Sequence, residues 1–192
     1  MRKEATKEEY RCWLDESEQD ILANYYEDEN VIKQIAIRLM LESGLRVDEV
    51  TRVRAADIQD SGKDADFKRL QVRESKTGYR ETIIPDSLAN QIKTVDQVAD
   101  RGEIIDVTTR TIQNWVVRAC EKIAEETHDE NWYDVSSHDC RRTWATSLIQ
   151  QGFPSDIVMD LGGWEDHDTF REHYWKSDDR EIQKHLNRIN FN

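Results

Sequence analysis

His138 and Arg141 stand three residues apart in the stretch SSHDCRRTWAT, inside a chain whose formal net charge is −13. If a helix opens near His138, that spacing puts an imidazole and a guanidinium on one face close to a helix N-terminus, where anions are favoured. Such a pair suits a phosphate. A second arginine, Arg46, follows directly on the Ser-Gly turn of LESGLRVDEV, and Glu49, three residues later, can hold its planar fork in one orientation. Lys76 sits in RESKTGYRETIIP, between two alternating runs, where an ammonium at a turn can reach a ligand. Downstream, LGGWEDHDTFREHYWK carries Trp164 and Tyr174 beside an acidic cluster. That cluster lacks the second acidic or histidine pair that a metal-assisted phosphohydrolase would need. Taken singly, each feature is also what a surface ion pair, a solvated turn or a half-buried aromatic looks like.

These residues need helices and one hairpin to position them. The run VIKQIAIRLMLESG, beginning at Val31, places Ile32, Ile35, Ala36, Leu39 and Met40 on one helical face, with Gly44 as a left-handed C-terminal cap. A short helix then starts near Val47, so Arg46 lies at the junction. Residues 67–73 and 80–84 alternate around a Ser-Lys-Thr-Gly turn and predict a hairpin that Pro85 ends. Helices are expected from Lys7 to about Ala23, from Ser87 to about Ala99, over 109–126, 138–150 and 155–161, and in two short segments, 169–175 and 179–189. The predicted class is mainly α with one small antiparallel β-sheet.

Composition sets limits on function. A chain of 192 residues suits one domain with a real core. No apolar run approaches the roughly 20 residues that cross a bilayer, and MRKEATKEEY does not resemble a signal peptide, so no membrane association and a cytoplasmic location are expected. Cys12, Cys120 and Cys140 are odd in number and widely spaced, which predicts free buried thiols rather than disulfides. The five histidines show no i, i+4 pairing toward zinc, so no metal is expected. Forty acidic against twenty-seven basic residues argue against a nucleic-acid partner at ordinary salt. In molar salt the counterion term shrinks and an acidic surface keeps a protein hydrated, so a halophilic source would reconcile the two.

In combination the motifs are specific. An arginine after a helix-Gly turn, a hairpin lysine, H-x-x-R opening a helix, Gly-Trp and then a tyrosine resemble, in that order, the catalytic domain of the tyrosine recombinase (phage integrase) family, over about residues 30–176. The resemblance makes 1–29 an N-terminal helix and acidic loop, and 177–192 a C-terminal helical tail of the kind that docks on a neighbouring protomer. It leaves no room for the family's N-terminal DNA-clamping (core-binding) domain. The interval from the His/Trp position to the tyrosine is one residue longer than usual here, with Trp164 or Gly163 filling that position.

The resemblance implies attack by Tyr174 on a DNA phosphodiester, giving a 3′-phosphotyrosyl link and a free 5′-hydroxyl. Arg46 and Arg141 would hold the nonbridging oxygens, the part metal ions play elsewhere, so neither cofactor nor ATP is implied. Lys76 would protonate the leaving 5′-oxygen, and His138 would hydrogen-bond the phosphate and shuttle the tyrosine's proton. Trp164 would supply packing and an N–H donor, while Glu49 orients Arg46. Arg142 is expected to face away, toward a carboxylate or the DNA backbone. The implied partner is double-stranded DNA with specific recombination sites, bound by a homotetramer. Relaxation of DNA in the manner of a type IB topoisomerase, and a noncatalytic DNA-binding regulator, are the competing readings. Tyr133 is the substitute nucleophile should Tyr174 not serve.

Overall fold

The computed structural model describes residues 1–6, 10–62, 65–75, 78–99, 102–168 and 170. The segments expected over 169–175 and 179–189 therefore lie, Phe170 excepted, outside the described residues. The chain opens not on a helix but on a two-stranded antiparallel hairpin, β1 (Arg2–Ala5) and β2 (Tyr10–Trp13), and only then enters helix α1 (Glu16–Asn24). The expectation of one helix from Lys7 to Ala23 is thus wrong over Tyr10–Trp13, which is a strand, and holds from Glu16. Two forces override it. Tyr10–Trp13 pairs in register with Arg2–Ala5, and the N–H groups of Cys12 and Leu14 donate to side chains of α6, contacts a helix over these residues would forfeit. Asp15 and Glu18 form a reciprocal capping box that starts the helix at Glu16.

Helix α2 (Val31–Ser43) is the axis of the core. Ile37 and Leu41 are buried along with Ile35, Ala36, Leu39 and Met40, so most of the helix circumference is apolar, and a polar stripe of Gln34, Arg38 and Glu42 remains, Arg38 bonding Glu42, Gln91 and Ser87. Its N-terminus is capped by the Asn30 side chain, which accepts from Ile32 and Lys33 N–H. Its C-terminus ends at Gly44 with φ +64°, as the Ser-Gly signal predicts. A Cβ on Gly44 would fall 2.2 Å from Cε3 of Trp144, so glycine also permits the close approach of a later helix, α6 (Ser137–Gln150).

After the single turn of α3 (Val47–Val50), strands β3 (Ile58–Asp60), β4 (Phe67–Ser75) and β5 (Gly78–Pro85) form an antiparallel sheet in the order β3-β4-β5. The predicted hairpin is present with longer arms; β3 was not foreseen, because three residues carry too little alternation to register. There are accordingly two small sheets among the described residues rather than one. The register shifts between Val72 and Ser75, a bulge just before the hairpin tip. Along β5, Arg80, Thr82 and Ile84 point inward at period two, and Thr82 Oγ1 donates to Ser43 O at 2.8 Å, fastening the sheet to the end of α2.

Helices α4 (Asp86–Ala99) and α5 (Thr109–Thr127) complete the main core, and α7 (Ser155–Gly162) follows α6. A second apolar cluster joins Trp144, Ala145 and Leu148 of α6 to Val158 and Met159 of α7 and to Phe170. The N-terminal hairpin is held against α6 by buried polar contacts. Asp139 Oδ1 accepts from Cys12 N at 2.9 Å, and Thr143 Oγ1 accepts from Leu14 N at 3.0 Å. The three cysteines are buried and free. No described helix is long and apolar enough to cross a membrane.

Candidate active site

Helix α7 ends in a Gly-Gly step. Gly163, at φ +68°, turns the chain left-handed, and Trp164 N–H returns to Met159 O at 2.9 Å. The carbonyls of Leu161, Gly162 and Gly163 are left for other donors at the negative end of the helix dipole. Three arginines from three distant segments fill them one by one. Arg80 Nη1 donates to Leu161 O, Arg141 Nη2 to Gly162 O at 2.5 Å, and Arg46 Nη2 to Gly163 O at 2.9 Å.

The same three guanidiniums surround Glu49, whose side chain is 0% exposed. Its Oε1 accepts from Arg46 Nη1 at 2.9 Å; its Oε2 accepts from Arg46 backbone N–H at 2.7 Å and from Arg80 Nη2 at 2.6 Å. Arg141 Nη1 lies 3.9 Å from Oε2 and donates to Gly44 O. Glu49 is the third residue of α3, so reaching back to the Arg46 N–H is the usual first-turn return of an acidic side chain. Here that return also draws in three positive charges. Burial pushes the Glu49 carboxyl upward, but the Arg80 charge, the Arg46 N–H and the Arg141 charge outweigh it and hold it below the ordinary carboxylate value.

Trp164 closes one side. Its ring lies 4.0 Å from Arg141 Cζ, roughly parallel to Trp144 with centroids 6.3 Å apart, and edge-on to Phe170 at 5.1 Å. Gly162 makes room for it: a Cβ there would fall 1.9 Å from Trp164 Cζ3.

Arg46, Glu49, Arg141 and Trp164, separated by up to 118 positions in the chain, are therefore neighbours in space. His138 lies in the first turn of α6, three residues ahead of Arg141, with its side chain exposed. Gly163 contributes its carbonyl and its left-handed turn. Lys76 and Tyr174 lie outside the described residues. Tyr133 is 56% exposed in the 3-10 turn Glu130–Asp134. Arg142 points away from the cluster and pairs with Asp139, whose other oxygen caps Ser136. Arg80 was not among the residues expected at the site. Its signal was available in the alternation of β5, where an arginine shares the inward face with Thr82 and Ile84.

Two charged forks thus converge from the start of α3 and from α6 on one helix end, with a third beside them, a concentration of positive charge of the kind that suits an anion. The sequence pattern of the phage integrase family matches residues 12–181. The chain belongs to the phage integrase family. Within the family, a stretch of 40 residues is 40% identical to the integrase of Salmonella phage P22, amounting to 21% of this chain and 10% of that relative. Among solved structures, the XerA recombinase superposes with a TM-score of 0.70 at 16% identity, covering 94% of this chain and 66% of the XerA chain. The Tn1549 transposon integrase in complex with a circular intermediate DNA gives 0.73 at 14% identity, covering 96% and 68%. A lambda integrase dimer bound to a COC′ core site gives 0.62 at 16% identity, covering 91% and 52%. These likenesses establish a family catalytic-domain fold, mostly helical with small antiparallel sheets. This chain spans about half to two thirds of the length of those three solved chains.

Proposed function

We propose that this protein is a site-specific DNA recombinase that cleaves and rejoins strands through a 3′-phosphotyrosyl intermediate. The observation that carries the reading is the convergence of Arg46 and Arg141 on Glu49 and on the end of α7. In this reading the Tyr174 hydroxyl attacks the scissile phosphorus, the bond to the 5′-oxygen breaks, and that oxygen takes a proton from Lys76. The proton of the tyrosine passes toward His138. A free tyrosine has a pKa of about 10, so the attack depends on such help. Negative charge building on the nonbridging oxygens is met by Arg46 and Arg141, which Glu49 and the end of α7 hold in place. Trp164 keeps Arg141 in register by stacking beneath its guanidinium. The phosphotyrosyl link conserves the energy of the phosphodiester, so rejoining needs no ATP, and no metal or cofactor is assigned a role.

The substrate in this reading is double-stranded DNA with paired recombination sites, and the working form is a tetramer on DNA. The whole chain serves as a single catalytic domain. The acidic surface fits work in concentrated salt, in the cytoplasm of a host that carries the gene on a mobile element.

The test is an SDS-resistant adduct with a pool of nicked duplexes of randomised sequence, followed over a salt series from low to molar. Unsubstituted protein is expected to form the adduct, increasingly at high salt, and Tyr174→Phe to form none while still binding DNA. An adduct from Tyr174→Phe would move the nucleophile elsewhere, with Tyr133 the next to map. Full activity at low salt with none gained on raising it would remove the halophilic reading.

A further inference from the structure

Arg80 is a buried cation with no role in the reaction outlined above. Its side chain is 5% exposed, and it occupies an inward position of β5 whose neighbours on that face, Thr82 and Ile84, are fully buried. An ion pair in such a place is often no more stabilising than well-packed apolar side chains of similar volume. Its placement is nonetheless specific. One nitrogen, Nη2, donates to Glu49 Oε2 at 2.6 Å; the other, Nη1, donates to Leu161 O; Nε finds no partner.

Arg80 therefore touches both supports that hold the two outer arginines. Glu49 binds Arg46 through its backbone and its guanidinium, and the end of α7 binds Arg46 and Arg141 through the two carbonyls that follow Leu161. Exposure sets one of the three arginines apart: the side chains of Glu49, Arg80 and Arg141 are 0%, 5% and 6% exposed, against 26% for Arg46. Arg80 lies on the buried side, where it completes the charge of Glu49, and Arg46 lies on the side that solvent or a phosphate can reach. In the sequence Arg80 follows Lys76 by four positions. We propose that Arg80 is a positioning residue that ties the β4–β5 hairpin to Glu49 and the end of α7, and so sets the geometry of Arg46 and Arg141 for phosphate. The proposal rests on the recombinase reading of the site.

Three charges face Glu49: Arg46 from the start of α3, Arg80 from β5 and Arg141 from α6. Removing Arg80 takes away the strongest of the charges that offset burial of the carboxyl, so Glu49 will take up a proton at higher pH. A residue whose role were confined to packing or fold stability would not couple that titration to the rate of adduct formation.

The experiment compares unsubstituted protein, Arg80→Gln and Arg80→Lys. It reads the rate of SDS-resistant adduct formation on the nicked-duplex pool, its dependence on pH, and noncovalent binding to the same DNA in a Tyr174→Phe background. Arg80→Gln is expected to slow adduct formation on the order of ten- to a hundredfold, the range familiar for outer-shell partners of metal ligands. Its noncovalent binding should stay within about threefold of the parent, and the acid limb of its rate profile should move to higher pH. Arg80→Lys keeps the charge but not the two-pronged reach, so it should keep the parental pH profile and recover only part of the rate. Should Arg80→Gln fail to fold by near-ultraviolet circular dichroism, Arg80→Lys carries the test. Parental rates from whichever variants fold, or rate and binding lost in proportion with an unmoved pH profile, would overturn the role of Arg80. No adduct from the unsubstituted protein would overturn the recombinase reading, and this proposal with it.

Discussion

Replacing Glu49 by glutamine removes one negative charge and almost no volume from a side chain that is 0% exposed. The carboxylate accepts from Arg46 N, Arg46 Nη1 and Arg80 Nη2 at 2.7, 2.9 and 2.6 Å. Glutamine can accept at one atom only, and its amide would aim two N–H donors at guanidiniums that are themselves donors. Arg80, 5% exposed, would be left as a buried cation without its counter-charge. Stranding one partner of a buried pair costs roughly 3–5 kcal/mol. Against a total stability of about 5–15 kcal/mol that is a large share, worth a fall in Tm of roughly 6–20 °C in a chain of this size. The pH dependence carries the sign. The Glu49 carboxyl is held below its ordinary value of 4.5, so its stabilisation is complete above that value and is lost as pH falls through the depressed one. Urea melts of parent and Glu49→Gln from pH 7 down to pH 3 should show a constant gap to about pH 5. In stronger acid the gap should close, as the parental carboxyl itself protonates. A gap under about 1 kcal/mol at pH 7, the size of an exposed pair, would refute the reasoning. So would a gap that does not narrow in acid.

Two further outcomes are accessible without DNA. Gly162→Ala places a methyl 1.9 Å from Cζ3 of Trp164, a ring confined by Trp144, Phe170 and Arg141, so the indole must move. The cost should be about 1–3 kcal/mol in a denaturant melt, accompanied by a changed near-ultraviolet spectrum; an unchanged spectrum and midpoint would contradict the packing described. Cys12, Cys120 and Cys140 are at most 1% exposed, and burial, helped by the Asp139 charge, pushes the Cys12 thiol up to about 12. All three should ignore Ellman's reagent at pH 8 in the native protein and react in full once unfolded, whereas rapid native reaction of any one would place it at the surface.

Much of this was legible in the residues. Helix α2 showed itself by period and by its glycine stop, and the β4–β5 hairpin by alternation around a polar turn. Arg46, Glu49 and Arg141 were marked by spacing, because a carboxylate three residues after an arginine, or an arginine three residues after a histidine, shares a helical turn with it. The N-terminal hairpin was obscured because Lys7–Ala23 also has helical period and because what docks β2, namely Asp139 and Thr143, lies far along the chain. Arg80 was overlooked for a related reason. A cation on a strand reads as solvated until Glu49 and the end of α7, from two other segments, are seen to bury it. Local signals name elements, but a buried charge is explained only by partners that tertiary structure brings to it.

The docking of β2 on α6 has a consequence for the order of assembly. Cys12 meets Asp139 across 127 positions and Leu14 meets Thr143 across 129. During synthesis at about 5–20 residues per second, the apolar triplet Cys12, Trp13 and Leu14 waits roughly 6–26 s before the residues that cover it exist. Contacts of such separation are the slow ones to form, so β2 is among the last elements to settle on the core. Until α6 has been made, the apolar triplet beside the β1–β2 pair lacks its cover.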